Sequence, residues 1–153
     1  MLGVQKSFSK FSLKVVKEQS VNYECMKGNL TNTLAVFNIL KAIELGNEPE
    51  EVFVMIALNQ KNSVLGVFEV SRGHLSGTMV HPREVFKRAI LLNSARIIVA
   101  HNHPSGDTTP SKDDIATTKR LVKAGEILGV EVLDHLIVGY DDDFISLREQ
   151  RLL

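Results

Sequence analysis

The sequence predicts an α/β domain with helices packed on a central sheet. Three observations carry this. Residues 52–58 form an unbroken apolar run, residues 97–100 form a second one, and stretches of helical periodicity precede and follow them. Taken in order, residues 1–28 are polar and weakly patterned, with one candidate strand at 12–16. Between 30 and 45, Leu34, Phe37, Leu40 and Ile43 recur at helical spacing, Thr31 or Asn32 supplies a cap, and Gly46-Asn47 supplies a stop. The acidic turn Glu48-Pro49-Glu50-Glu51 opens the strand at 52–58, and Asn59-Gln60-Lys61-Asn62 turns it into a hairpin with 63–70. A loop through Gly73, Ser76 and Gly77 leads to His81-Pro82, where proline suits the first position of a helix over 83–92. The strand at 96–100 is almost continuously apolar after Arg96 and reads as buried on both faces. A loop at 101–110, a helix at 112–128 stopped by Gly129, a strand at 131–138, a turn at Asp141-Asp142-Asp143 and a short strand at 144–147 complete the chain.

At 153 residues, one domain is the expected count. Eighteen basic and eighteen acidic residues cancel, so nucleic acid stays open as a partner but draws no support from net charge. Cys25 is the only cysteine, which rules out an intrachain disulfide and a cysteine-based zinc knuckle. The longest apolar run is far too short to span a bilayer, and the N-terminus does not read as a secretory signal. The expectation is a cytoplasmic protein with no membrane contact.

The most informative segment is His101-Asn102-His103-Pro104-Ser105-Gly106, followed by Ser111 and Asp114. Alternate residues on an extended segment point the same way, so His101 and His103 can face one point. Asp114, in the first turn of the next helix, can bring a carboxylate back toward that point. Two imidazoles and a carboxylate with one position left open form the donor set of a catalytic zinc site. Ser111 and Asp114 also read as a capping box, a role compatible with ligation because a capped turn holds its ligand still. Asp113 points about 100° away from Asp114 around the helix, and Asp107 reads as a turn residue. His81 and His74 read as surface or supporting residues. Asp134 and His135 are neighbours on a strand, so they face opposite sides, each in a buried supporting role.

The pattern of His101, His103-Pro104, Ser111 and Asp114 resembles the JAMM/MPN metalloprotease motif. With His-Pro-Arg-Glu-Val at 81–85 and Asp-His-Leu-Ile-Val-Gly at 134–139, the chain resembles more narrowly the bacterial RadC family over about residues 48–153. That resemblance implies a three-layer α/β/α sandwich with a mixed central sheet, similar to the cytidine-deaminase architecture, with residues 1–47 as an extension carrying one helix packed on it. It implies Zn²⁺ held by His101, His103 and Asp114, and Glu51 as general base, with Glu50 the close alternative. It also implies Ser111 as donor to a developing oxyanion, and a peptide or protein substrate. Asn102 stands where the deubiquitinating members of the wider family usually carry Ser or Thr, and the large insertions by which those enzymes hold ubiquitin have no counterpart here.

The function these readings imply is zinc-dependent hydrolysis of a peptide or isopeptide amide. Two other classes remain: a nucleic-acid-binding protein, given the family's historical association with DNA repair, and a metal-binding interaction module without turnover. The letters His-Asn-His do not make an HNH nuclease, whose catalytic residues are spread over a ββα unit.

Overall fold

A computed structural model of the chain describes residues 9, 12, 14–23, 30, 32–73 and 80–153. Cys25, Thr31, His74, Ser76 and Gly77 lie outside the described residues. Helix α1 spans Thr33–Ala42, with the Asn32 side chain accepting from the Ala35 N–H at 2.8 Å as its cap. After a 3-10 turn at Leu45–Asn47 come β1 (Val52–Leu58), β2 (Val64–Arg72), α2 (Pro82–Leu91), β3 (Arg96–Asn102), α3 (Lys112–Leu128), β4 (Glu131–Val138) and β5 (Phe144–Ser146). The expected strand at 12–16 does not form: its described residues are irregular, and Val15 and Val16 are exposed. Exposed in this way, the described residues gain no burial to offset the entropy of holding them extended.

The five strands form one mixed sheet in the order β2-β1-β3-β4-β5, in which only β3 and β4 run parallel. The parallel pair is joined through α3, as a crossover requires. Alternation of side chains divides the buried residues into two cores. On one face Val52, Val54, Ile56, Leu58, Ile98 and Ala100 meet Val36, Phe37, Ile39 and Leu40 of α1. On the other, Phe53, Met55, Ala57, Ile97 and Val99 meet Val85, Phe86 and Ala89 of α2 and Leu121 of α3. The result is a three-layer α/β/α sandwich, the architecture the sequence implied.

One irregularity in this lattice matters for the site. Val132 packs with the α2/α3 core, whereas Leu136 and Val138 pack with the α1 core. Strict alternation would put Val132 and Leu136 on the same side. The phase changes where the β3–β4 register slips, between the Ile97–Val132 and Ile98–Asp134 pairs. That slip turns His135 toward α3 and Asp134 toward the opposite face.

Candidate metal centre

β3 runs two residues further than its apolar stretch, so that His101 and Asn102 are the last rungs of the ladder. The antiparallel register pairs Phe53 with His101, and continuing it by two residues sets Glu51 opposite His103. Phe53, His101, His103 and Glu51 therefore share the α2/α3 face at the carboxyl end of β3. The Phe53 ring lies stacked beside the His101 imidazole, with centroids 6.0 Å apart, and meets the His135 ring edge-on at 5.4 Å. Asp114 arrives from α3, whose N-terminus is fixed by a capping box: Ser111 Oγ accepts from the Asp114 N–H at 3.1 Å, and Asp114 Oδ2 accepts from the Ser111 N–H at 2.7 Å.

The donor atoms converge. His101 Nε2 lies 3.0 Å from His103 Nε2 and 3.3 Å from Asp114 Oδ1, and His103 Nε2 lies 3.5 Å from Asp114 Oδ2. Tetrahedral zinc with bonds of roughly 2.0–2.1 Å separates its donors by about 3.3 Å. The separation of the two imidazole nitrogens, and that of each from its nearer Asp114 oxygen, are close to this spacing, so the residues present fit a small divalent cation. Glu51 Oε1 stands further off, 3.8 Å from His101 Nε2, and belongs to the same group, whose ligand atoms all lie within 4.8 Å of one another. Glu50 is exposed and outside this group. Ser111 is exposed at the mouth of the site, held by its capping role beside Asp114.

The electrostatics follow from proximity. Burial raises the Asp114 carboxyl, but the imidazoles of His101 and His103 and the Ser111 side chain beside it outweigh that effect and hold the group well below the usual carboxylate range. The same carboxylate raises His103 above the ordinary histidine value, against the burial that lowers it. Burial pushes His135 well down, and the neighbouring His101 adds to that effect.

Behind the four converging groups lies a second set of contacts. His101 Nδ1 is 2.8 Å from His135 Nε2, and His135 Nδ1 is 2.6 Å from Thr118 Oγ1. Thr118 in turn donates to the Asp114 carbonyl oxygen at 2.6 Å. His103 Nδ1 lies 2.6 Å from the Asp107 carbonyl oxygen. Asp107 shapes that loop by accepting from the Thr109 N–H at 2.9 Å. Gly106 sits there at φ 81°, where a Cβ would come within 2.4 Å of the Tyr140 ring. Tyr140 donates to the Pro104 carbonyl oxygen and ties the loop to the β4–β5 turn.

Asn102, pointing to the other face, acts as a clamp. Its Oδ1 accepts from the Val52 N–H at 2.7 Å, and its Nδ2 donates to the carbonyl oxygens of Glu48 and Glu50, each at 3.0 Å. One buried carboxamide thus holds both sides of the turn that presents Glu51. Asp134 accepts from Ser146 Oγ at 2.7 Å and from the N–H groups of His135 and Arg148 at 2.7 and 3.1 Å, anchoring the chain after β5. His81 caps α2 by accepting from the Arg83 N–H at 3.1 Å. Sequence reasoning missed Thr118 and the role of Asn102. The two available signals were a small polar residue between two candidate ligands, and a threonine four residues after the third.

A three-layer α/β/α fold with a His/His/Asp group and a nearby glutamate defines a domain equipped to bind a metal ion. The chain belongs to the RadC-like JAB domain family, whose model matches residues 30–152. It is 59% identical over 103 residues to a UPF0758 protein of Moorella thermoacetica, covering 67% of this chain and 44% of that protein. It is 50% identical over 125 residues to a UPF0758 protein of Symbiobacterium thermophilum, covering 82% and 53%. A UPF0758 protein of Clostridium beijerinckii is 47% identical over 110 residues, covering 72% and 48%. The chain spans about half the length of these relatives. Among the described residues, no helix is long and apolar enough to cross a membrane.

Proposed function

We propose that the domain is a zinc-dependent hydrolase of peptide or isopeptide bonds. The observation that carries the proposal is the convergence of Glu51, His101, His103 and Asp114 at the carboxyl end of β3. His101, His103 and Asp114 hold the ion. Zinc would supply Lewis acidity that brings the pKa of water from about 15.7 toward about 7.

The rest is done by the chain. Glu51 accepts a proton from the attacking water as its oxygen bonds to the amide carbon. It then delivers that proton to the departing amine as the carbon–nitrogen bond breaks, so the protons balance. Ser111 donates its hydroxyl hydrogen to the developing oxyanion. Its cap role is compatible with this, because a hydroxyl that accepts from the Asp114 N–H keeps its one hydrogen to donate. Glu51 rather than Glu50 is the base, since Glu50 points to solvent.

Two variants test the assignment together. Asp114→Ala is expected to lower the zinc retained by purified protein, and full occupancy would remove Asp114 from the ligand set. Glu51→Gln is expected to retain zinc and to lose about 10²- to 10⁴-fold in turnover of fluorogenic peptide or lysine-isopeptide substrates. Unchanged turnover in that variant would overturn the role of Glu51.

A further inference from the structure

We propose that Thr118 and His135 form a hydrogen-bonded relay that fixes the tautomer of His101, so that its Nε2 carries the lone pair a metal requires. The inference rests on the reading of His101 as a metal ligand and adds two positioning residues to it. All three side chains are fully buried, at 0% exposure, so no water competes for their hydrogens.

The direction of the relay follows from counting hydrogens. A threonine hydroxyl has one hydrogen and two acceptor sites. Thr118 spends its hydrogen on the Asp114 carbonyl oxygen, 2.6 Å away and one helical turn back. Its oxygen can then only accept from His135, so the 2.6 Å contact requires a hydrogen on His135 Nδ1. A neutral His135 has no hydrogen left for Nε2, which accepts across 2.8 Å from His101 Nδ1–H. A neutral His101 with its hydrogen on Nδ1 presents a bare Nε2, the atom that faces His103 and Asp114. Reversing every bond would place a hydrogen on His101 Nε2 and close that position. Thr118 opposes the reversal, because its hydrogen would have to leave the Asp114 carbonyl.

His103 reaches the same state by a simpler route: its Nδ1 faces the Asp107 backbone carbonyl, which can only accept. The deeper ligand lacks a backbone acceptor and uses two side chains instead. Those side chains meet because of two local features. The register slip in β4 turns His135 toward α3, and Thr118 lies one turn after Asp114 on the same helix. Outer partners of this kind typically account for 10- to 100-fold in metal affinity.

The test compares zinc affinity, by competition with a chromophoric chelator, in the wild-type chain and in Thr118→Val, Thr118→Ser, His135→Gln and His135→Leu. Valine keeps the shape of threonine without its hydroxyl and should weaken zinc binding about 10- to 100-fold. Serine, which restores the hydroxyl, should return affinity to within a few-fold of wild type. Glutamine at 135 offers an acceptor to His101 and should bind zinc more tightly than leucine. Independently of any variant, the nitrogen shifts of the wild-type imidazoles should show His135 and His101 both carrying hydrogen on Nδ1. A hydrogen on His135 Nε2, or equal zinc affinity in Thr118→Val and wild type, would overturn the relay and leave the metal site standing. Failure of the wild-type chain to bind zinc would instead overturn the site on which the relay rests.

Discussion

On the α1 side of the sheet, β1 and β3 present Val52, Val54, Ile56, Leu58, Ile98 and Ala100, and then Asn102. On the α2/α3 side the same strands present Phe53, Met55, Ala57, Ile97 and Val99, and then His101. Both faces thus end in a buried polar residue at the same level of the sheet, but the two are satisfied differently. Asn102 spends its carboxamide on three backbone groups of residues 48, 50 and 52, and Asp134, on the same side, likewise bonds two backbone N–H groups and Ser146. Such groups hold the chain and have little left to offer a ligand. His101 makes its outer contact through another side chain and keeps its second nitrogen among His103, Asp114 and Glu51. A buried polar group satisfied by the backbone is architecture, whereas imidazoles and carboxylates that converge on one another form a ligand set.

The sharpest way to break this comparison is to damage the α1 side and ask whether the other side notices. Leu40→Ala, at a fully buried position facing β1, should cost about 2–5 kcal/mol in denaturant unfolding. Zinc affinity of the folded protein should stay within a few-fold of wild type. A 100-fold loss of zinc affinity would mean that the two faces are not separable in this way.

Asn102→Ala should cost less, about 1–3 kcal/mol, because it strands the buried Val52 N–H. Zinc binding should persist, since His101, His103 and Asp114 converge on the other face. Turnover should fall with kcat and leave KM nearly unchanged, because the turn that carries Glu51 loses its clamp. An Asn102→Ala protein with wild-type kcat would show that the clamp serves stability alone.

The smallest effect separates two roles at one residue. Ser111→Ala removes the cap of α3 and should lower stability by about 1 kcal/mol, whereas Ser111→Asn keeps a capping acceptor and should leave stability nearly unchanged. Neither variant has a hydroxyl to donate, so both should lose turnover alike. If Ser111→Asn kept full turnover, capping would be the whole of the Ser111 contribution.

Much of this was legible from local pattern. β1, α3 and β4 begin and end where the apolar run, the Ser111 cap with Gly129, and the segment 131–138 place them. Each boundary is set by chemistry within a few residues, which is the condition for reading it from sequence. β3 was read too short, at 96–100, because His101 and Asn102 look like loop residues until the groups that satisfy them are known. The convergence of His101, His103 and Asp114 was readable from the pleat of a strand and the first turn of a helix. The relay was not. His135 faces Thr118 because of a register slip between β3 and β4, a property of two strands paired in space that no single segment encodes. The pairing of Asn102 with residues 48–52 is hidden for the same reason: it depends on which strand becomes the neighbour of β3.

The central claim is that one metal ion sits among His101, His103 and Asp114. Diffraction at the zinc edge from crystals of the zinc-loaded chain tests it most directly. The account predicts a single anomalous peak within about 2.3 Å of His101 Nε2, His103 Nε2 and a carboxylate oxygen of Asp114. A peak coordinated by His135, Asp107 or Glu50 instead, or the absence of any peak at the end of β3, would contradict it.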